Sequence, residues 1–363
     1  MSLLEISNLK TYYRSKNGYV RATDDVSLSI DRDETVGLVG ESGSGKTTLA
    51  KSIIRLFPDN AEIIDGSINY NGIEITELTD KELRKQIRWA EISMIPQNAM
   101  NGFDPVYTVG KQIVQVIRHH EDNTSKKEAK NRARKLFDEL GIEPNRVDDY
   151  PHQFSGGMAQ RAMIALALAL GPSIILADEP TTALDVVIQD RILETIKTMQ
   201  AEINSAMIMI THDMSVVSET CDRIAVVYGG RIVEQADAET IMMNPRHPYT
   251  LGLRNAFPDI TDNDKDLISI PGTPPELTDS EEGCRFAPRC PFAVDECWEQ
   301  TPEAESYGDG HFVECHRADE IEYLQEAAGK KETWLEGFSE RSTDEEGNND
   351  LQTDTDVEVT THE

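Results

Sequence analysis

The eight residues Gly40-Glu41-Ser42-Gly43-Ser44-Gly45-Lys46-Thr47 constrain this chain more than any other stretch. They fit G-x-x-x-x-G-K-[ST], a phosphate-binding loop that requires a strand before it and a helix after it. Glycine at 40, 43 and 45 lets backbone N–H groups converge on phosphate oxygens, and the helix that follows adds its positive N-terminal end. The flanks agree: Thr35 to Val39 reads as a strand, and from Gly45 to Leu56 the apolar spacing turns helical. Lys46 is expected to reach the β- and γ-phosphates and the Thr47 hydroxyl to ligate Mg²⁺, with Ser42 and Thr48 completing the cradle.

Two apolar runs further on end in polar residues. Ile174 to Ala177 leads into Asp178-Glu179, and Ala206 to Ile210 leads into Thr211-His212. Both read as buried parallel strands whose C-terminal ends carry polar groups to one edge of a sheet. Asp178 suits Mg²⁺ and Glu179 suits the polarisation of an attacking water. Residues 1–40 alternate apolar and polar in short runs, and residues 110–170 are mainly helical, with an Ala/Leu-rich helix after Gly157. The pattern predicts an α/β fold: a nucleotide-binding core with a mostly parallel sheet, an antiparallel β subdomain and a helical subdomain inserted at about 98–168.

Between the two carboxylates and the glycine loop lies Phe154-Ser155-Gly156-Gly157-Met158-Ala159-Gln160-Arg161. Here the sequence resembles the ATP-binding subunit of an ABC transporter, whose signature is typically L-S-G-G-Q-x-Q-R; Phe154 and Met158 depart from it as in the peptide-importer branch. The resemblance implies that Ser155, Gly156, Gly157 and Gln160 contact the ATP of a partner subunit. It also makes Gln97 the Q-loop residue that senses Mg²⁺ and contacts the membrane subunit, Asp185 the D-loop aspartate and His212 the histidine near the γ-phosphate. Tyr13 is the candidate for stacking on adenine, with Tyr12 and Tyr19 as rivals. Three further stretches resemble oligopeptide/dipeptide importer ATPases: Asp104 to Gly110, His247 to Thr250 and Ile270 to Pro275.

The same resemblance implies an ATP-hydrolysing importer subunit for peptides, with nickel or oligosaccharide as alternative solutes. Its partners would be a second, non-identical cassette, two membrane-spanning permease subunits and an extracellular solute-binding protein. DNA-repair or ribosome-associated relatives of the cassette are the remote alternative; they would need long coiled coils, a zinc insertion or two cassettes. Cys284, Cys290, Cys297 and Cys315 match a C-terminal extension that holds a [4Fe–4S] cluster in some members. Judged on spacing alone, C-x5-C-x6-C-x17-C leaves iron–sulfur, zinc and unmetallated structural thiols all open. Cys221, far away beside Asp222, reads as a buried core thiol.

Charge and composition set the remaining limits. Lys and Arg total 35 against 66 Asp and Glu, a net of -31, which repels phosphate backbones and disfavours nucleic acid as a partner. Residues 332–363 hold eleven acids and one Arg, leaving 55 acids and 34 bases, so the rest still carries -21. Acidity spread this widely points to a halophilic archaeon, an acidic partner-binding surface being the alternative. No signal peptide opens the chain and no apolar run approaches a membrane span. The expected place is the cytoplasmic face of the membrane, bound through the permease subunits. The expected domains are a cassette at 1–245, a loop-rich domain at 246–325 and a disordered acidic tail at 326–363.

Overall fold

The structure, a computed structural model, describes residues 2–16, 18–97, 102–181, 186–256, 268–278 and 282–335. The alternating N-terminal segment forms β1 (Leu4–Ser15) and β2 (Gly18–Ile30), paired antiparallel from Leu4 opposite Ile30 to Ser15 opposite Gly18. The chain then enters β3 (Thr35–Val39), the glycine loop and α1 (Lys46–Ile53). It returns through β4 (Ala61–Tyr70), which lies antiparallel to β1, and β5 (Ile73–Glu74), closing a four-stranded antiparallel sheet in the order β2-β1-β4-β5. Thr79 and Glu82 form a capping box that starts α2 (Asp80–Gln86).

The second sheet builds on β6 (Ile92–Ile95). After it comes the helical insertion: α3 (Val109–His120), α4 (Lys126–Glu139) with a Ser125–Glu128 capping box, and α5 (Gly156–Ala167), started by Ser155. Then follow β7 (Ile174–Asp178), α6 (Val186–Ile203), β8 (Ala206–Thr211), α7 (Met214–Thr220), β9 (Arg223–Tyr228), β10 (Arg231–Asp237) and α8 (Ala238–Met243). Strands β9-β3-β8-β7-β6 run parallel in that order. Every residue of β3, β7 and β8 is buried, as strands covered on both faces must be. Leu38, Leu176 and Ile208 of these strands pack with Leu49 and Ile53 of α1 in one core. The α/β expectation, with an antiparallel subdomain and a helical insertion, is met.

The C-terminal region holds α9 (Pro248–Asn255), α10 (Asp295–Glu299), β11 (Glu305–Ser306), β12 (Phe312–Val313) and α11 (Ile321–Ala328). The chain divides into two compact units, and a single boundary near residue 245 does not describe them. The first unit runs to Asn244 but also takes in Ala304–Val313 and a stretch beginning at Pro274. Within it β12 pairs antiparallel with β10, β11 with β12, and the eight-stranded sheet ends in this added hairpin. His311 Nε2 lies 2.8 Å from Glu234 Oε1, both side chains buried. The disordered-tail expectation is also corrected for residues 326–335. Ala328 ends a helix, and Trp334 is 1 % exposed with its indole N–H donating to Ala328 O at 3.0 Å. Residues 326–335 are not themselves acidic, since Glu326 and Glu332 are matched by Lys330 and Lys331, and Trp334 gives the stretch an apolar side chain to bury. Residues 336–363 lie outside the described residues. No described helix is long and apolar enough to cross a membrane.

Candidate functional site

Four parallel strands deliver their groups to one edge of the sheet, the carboxyl ends where α/β proteins bind ligands. From β3 comes the glycine loop. Gly45 caps α1 in a left-handed conformation (φ 105°), and a Cβ there would sit 2.1 Å from Ala22 O of β2. A Cβ at Gly40, with φ 153°, would meet Val227 O of β9 at 2.1 Å. Glycine is therefore required twice over: by backbone sign and by the strands that press on the loop. Ser42 and Gly43 at its tip are exposed.

Lys46, the first residue of α1, is buried and folded back on the loop. Its Nζ donates to Gly40 O and Glu41 O at 2.7 Å each and to Ser44 Oγ at 3.3 Å. Burial lowers its pKa from the ordinary 10.5 to about 8, against the opposing pull of Glu179, Asp178 and Glu41. Thr47 Oγ1 donates to Asp178 Oδ1 at 3.0 Å, so a hydroxyl from α1 and a carboxylate from the end of β7 meet directly. Burial pushes the Asp178 carboxyl above its usual range, with the Thr47 bond opposing. An oxygen-only pair of this kind suits a hard cation such as Mg²⁺.

Glu179 follows in an unusual backbone state, φ +46°, with its N–H donating to Ile210 O of β8 at 2.9 Å. Non-glycine residues adopt that region at a cost, and such positions persist where the surroundings hold them. Its carboxylate is held from two sides. Gln97 Nε2, two residues beyond β6, donates to Oε2 at 2.7 Å, and His212 Nδ1, one residue beyond β8, lies 3.3 Å from Oε1. Gln97, the residue expected to sense Mg²⁺, is thus hydrogen-bonded to Glu179. Tyr13, half-buried near the end of β1, places its hydroxyl 3.2 Å from Thr48 Oγ1 in the first turn of α1. Its rival Tyr12 is bound to Asp24 instead, and Tyr19 is exposed.

The signature residues separate into two groups. Ser155 caps α5, accepting from Met158 N, and Ser155 and Gly156 are exposed. Gln160 is not with them: it is 5 % exposed, and its Nε2 donates to Pro180 O at 2.6 Å. Five residues at about 100° each turn its side chain about 140° from Ser155, toward the interior of its own subunit. Asp185 lies outside the described residues. Sequence reasoning missed three supports: the Gln160–Pro180 bond, Ala22 beneath Gly45, and the Arg21 N–H that donates to Leu277 O at 2.8 Å, one residue from Ala22.

In the second unit Cys284, Cys290, Cys297 and Cys315 all line one cavity, together with His247 and His316. All four are free thiols. Among the described residues no three or more His, Cys, Asp or Glu side chains are arranged as a metal site, so the expected [4Fe–4S] ligand set is not preassembled. The Arg317 N–H donates to Cys315 Sγ at 3.4 Å, and the Ala287 N–H donates to the Cys284 carbonyl oxygen at 2.9 Å. Burial favours the neutral thiols, raising Cys284 to about 11 and Cys290 well above the ordinary thiol value. Cys221 is buried, with its pKa raised to about 12, as a core thiol would be.

Comparison with known proteins shows the family. The ABC transporter family matches residues 23–182, and the family described as "Oligopeptide/dipeptide transporter, C-terminal region" matches residues 233–297. The oligopeptide transport ATP-binding protein AppD of Bacillus subtilis (strain 168) is 44% identical over 317 residues, covering 86% of this chain and 96% of that protein. The dipeptide transport ATP-binding protein DppD of Escherichia coli (strain K12) is 40% identical over 318 residues, covering 87% and 97%. Among solved structures, the ATP-binding cassette MJ0796, a dimer in a post-hydrolysis state bound to ADP and Pi, superposes with a TM-score of 0.60 at 29% identity. That match covers 65% of this chain and 98% of MJ0796. The chain belongs to the ATP-binding subunits of ABC transporters, in the branch that carries the oligopeptide/dipeptide transporter C-terminal region.

Proposed function

We propose that this chain hydrolyses ATP to drive the import of oligopeptides or dipeptides, as one of two cassettes held on the cytoplasmic face of a membrane by permease subunits. The observation that carries the hydrolytic reading is the Glu179 carboxylate, held by Gln97 and His212 beside the Thr47–Asp178 pair. Relatives named for oligopeptide and dipeptide transport support peptide as the solute. The second cassette is a related, non-identical chain, and an extracellular binding protein delivers the solute.

In this reading Tyr13 stacks on adenine, while Gly40, Ser42, Gly43, Gly45 and Thr48 surround the phosphates. Lys46 exchanges its three loop oxygens for those of the β- and γ-phosphates, at little cost in unmade hydrogen bonds. Thr47 and Asp178 hold Mg²⁺, which when bound neutralises charge developing on the transferred phosphoryl group. Glu179 orients and polarises the attacking water, with His212 beside it near the γ-phosphate. Ser155, Gly156 and Gly157 offer the N-terminus of α5 to the partner's nucleotide. Gln97 ties the segment after β6, which contacts the permease, to Glu179. Cys284, Cys290, Cys297 and Cys315 would be the ligands of a [4Fe–4S] cluster that cross-links the chain around their cavity, and the acidic composition is an adaptation to high salt.

Glu179→Gln tests the hydrolytic core. Loss of a general base costs about 10²–10⁴ in rate. The variant should bind ATP at parent affinity and fail to turn it over, whereas Lys46→Ala should weaken binding itself. Hydrolysis by Glu179→Gln at the parent rate would refute the assignment.

A further inference from the structure

The Gln160 side chain sits where two parts of the site meet. Its helix, α5, begins with the exposed Ser155-Gly156 turn, and its amide ends on the carbonyl of Pro180, the residue after Glu179. At 2.6 Å, in a buried setting, this is a close hydrogen bond from a neutral donor whose alternatives in the interior are few. The Pro180 carbonyl has no ladder of its own: β7 ends at Asp178, and Glu179 turns the chain through a left-handed conformation. The backbone around Glu179 is thus pinned by the Ile210 carbonyl on its N-terminal side and by the Gln160 amide on its C-terminal side. Arg161, the next residue, holds the same helical turn to the end of α4 through Leu140 O (3.2 Å) and Gly141 O (2.9 Å).

From this geometry we infer that Gln160 is a positioning residue for Glu179, and that it carries the position of the signature turn to the hydrolytic carboxylate of the same subunit. A partner nucleotide that docks on Ser155 and Gly156 shifts or steadies α5. Through one rigid amide that displacement reaches the Pro180 carbonyl and so the reach of Glu179 toward its water. Each cassette then reads whether the opposite site is filled before its own carboxylate is set. Gln160 touches neither nucleotide in this scheme. The inference rests on the reading of Glu179 as the base.

The test uses the assembled transporter in membranes, with ATP as the probe. A misplacement of about 1 Å can cost up to about 10²-fold in rate, so Gln160→Met, which keeps the side-chain length and removes the donor, should lower kcat at least ~10-fold. KM for ATP should stay within about twofold of the parent, because binding groups are untouched. Gln160→Glu supplies the second measurement. As a carboxylate it cannot donate to Pro180 O, and as the neutral acid it can. The ratio of its kcat to the parent's should therefore climb as pH falls from 8 to 6. Parent-like kcat in Gln160→Met, with Glu179→Gln inactive, would overturn the inference alone. So would a Gln160→Met defect in which thermal midpoint, KM and kcat fall together while the Gln160→Glu ratio stays flat with pH, the mark of a purely structural amide. If Glu179→Gln itself turned over at the parent rate, the base reading would fail first and this inference with it.

Discussion

Lys46 shows how a single residue can be poised by its surroundings. Burial sets its pKa near 8, while three oxygens of its own loop hold the ammonium in place. The sign for folding is clear. The unfolded chain binds this proton up to the ordinary 10.5 and the folded protein only to about 8, so the cost of burying the charge is present in full below pH 8. It is relieved as pH rises from 8 to 10.5, where the contribution to stability increases. Nucleotide binding runs the opposite way, because phosphates favour the charged form and ATP must bring a proton back. Affinity for a non-hydrolysable ATP analogue should be level to about pH 8 and about tenfold weaker at pH 9. Calorimetry in two buffers of different ionisation enthalpy should show proton uptake on binding at pH 9. A flat affinity up to pH 10, with no proton uptake, would mean that Lys46 keeps its charge in the free protein.

Elements were legible in the sequence where a local pattern dictates them, and illegible where a distant partner does. The glycine loop, β7 and β8 could be read because glycine sign, unbroken apolar runs and terminal polar residues are all encoded within a few positions. The Gln160 side chain lay inside a recognised motif, yet its direction depends on helical phase. The motif therefore grouped it with Ser155 while the structure turns it to Pro180. Strands β11 and β12 have two residues each, too short for any period, and only β10 beside them makes them strands. The four cysteines span 32 residues and converge because the intervening chain folds back, which their spacing did not reveal. That convergence supports a prediction. Anaerobic purification should give a brown protein with broad absorption at about 400 nm and about four irons per chain, since four thiols lining one cavity are soft donors that suit an iron–sulfur cluster. Replacing Cys290, one of the two buried cysteines of the four, with Ser should bleach the colour and lower the thermal stability of the second unit while ATP affinity stays within about twofold. A colourless preparation with one zinc per chain would replace iron by zinc, and a metal-free one would leave four structural thiols.

At the scale of the whole molecule, charge is the property that no single site explains. A net of -31 over 363 residues, still -21 without residues 332–363, opposes compaction because like charges are brought closer on folding. Among the described residues the pairs that offset it are mostly peripheral: Lys130–Asp148 at 2.6 Å, Lys135–Glu139 at 2.9 Å and Lys330–Glu326 at 3.0 Å all have partly or largely exposed side chains. Such pairs contribute little each, of the order of 0–1 kcal/mol, so they cannot balance a repulsion shared by dozens of carboxylates. Screening can. Raising KCl from 0.1 M to 1 M shortens the Debye length from about 10 Å to about 3 Å, which weakens repulsion between neighbouring surface acids more than it weakens pairs already in contact. Thermal unfolding followed across a KCl series should show the midpoint climbing steadily toward molar salt. Sodium sulfate at matched ionic strength should climb further, because an excluded salt also strengthens apolar burial. If the midpoint were flat or fell between 0.1 M and 1 M KCl, repulsion would not limit this fold, and the acidic surface would have to be explained by a cationic partner instead.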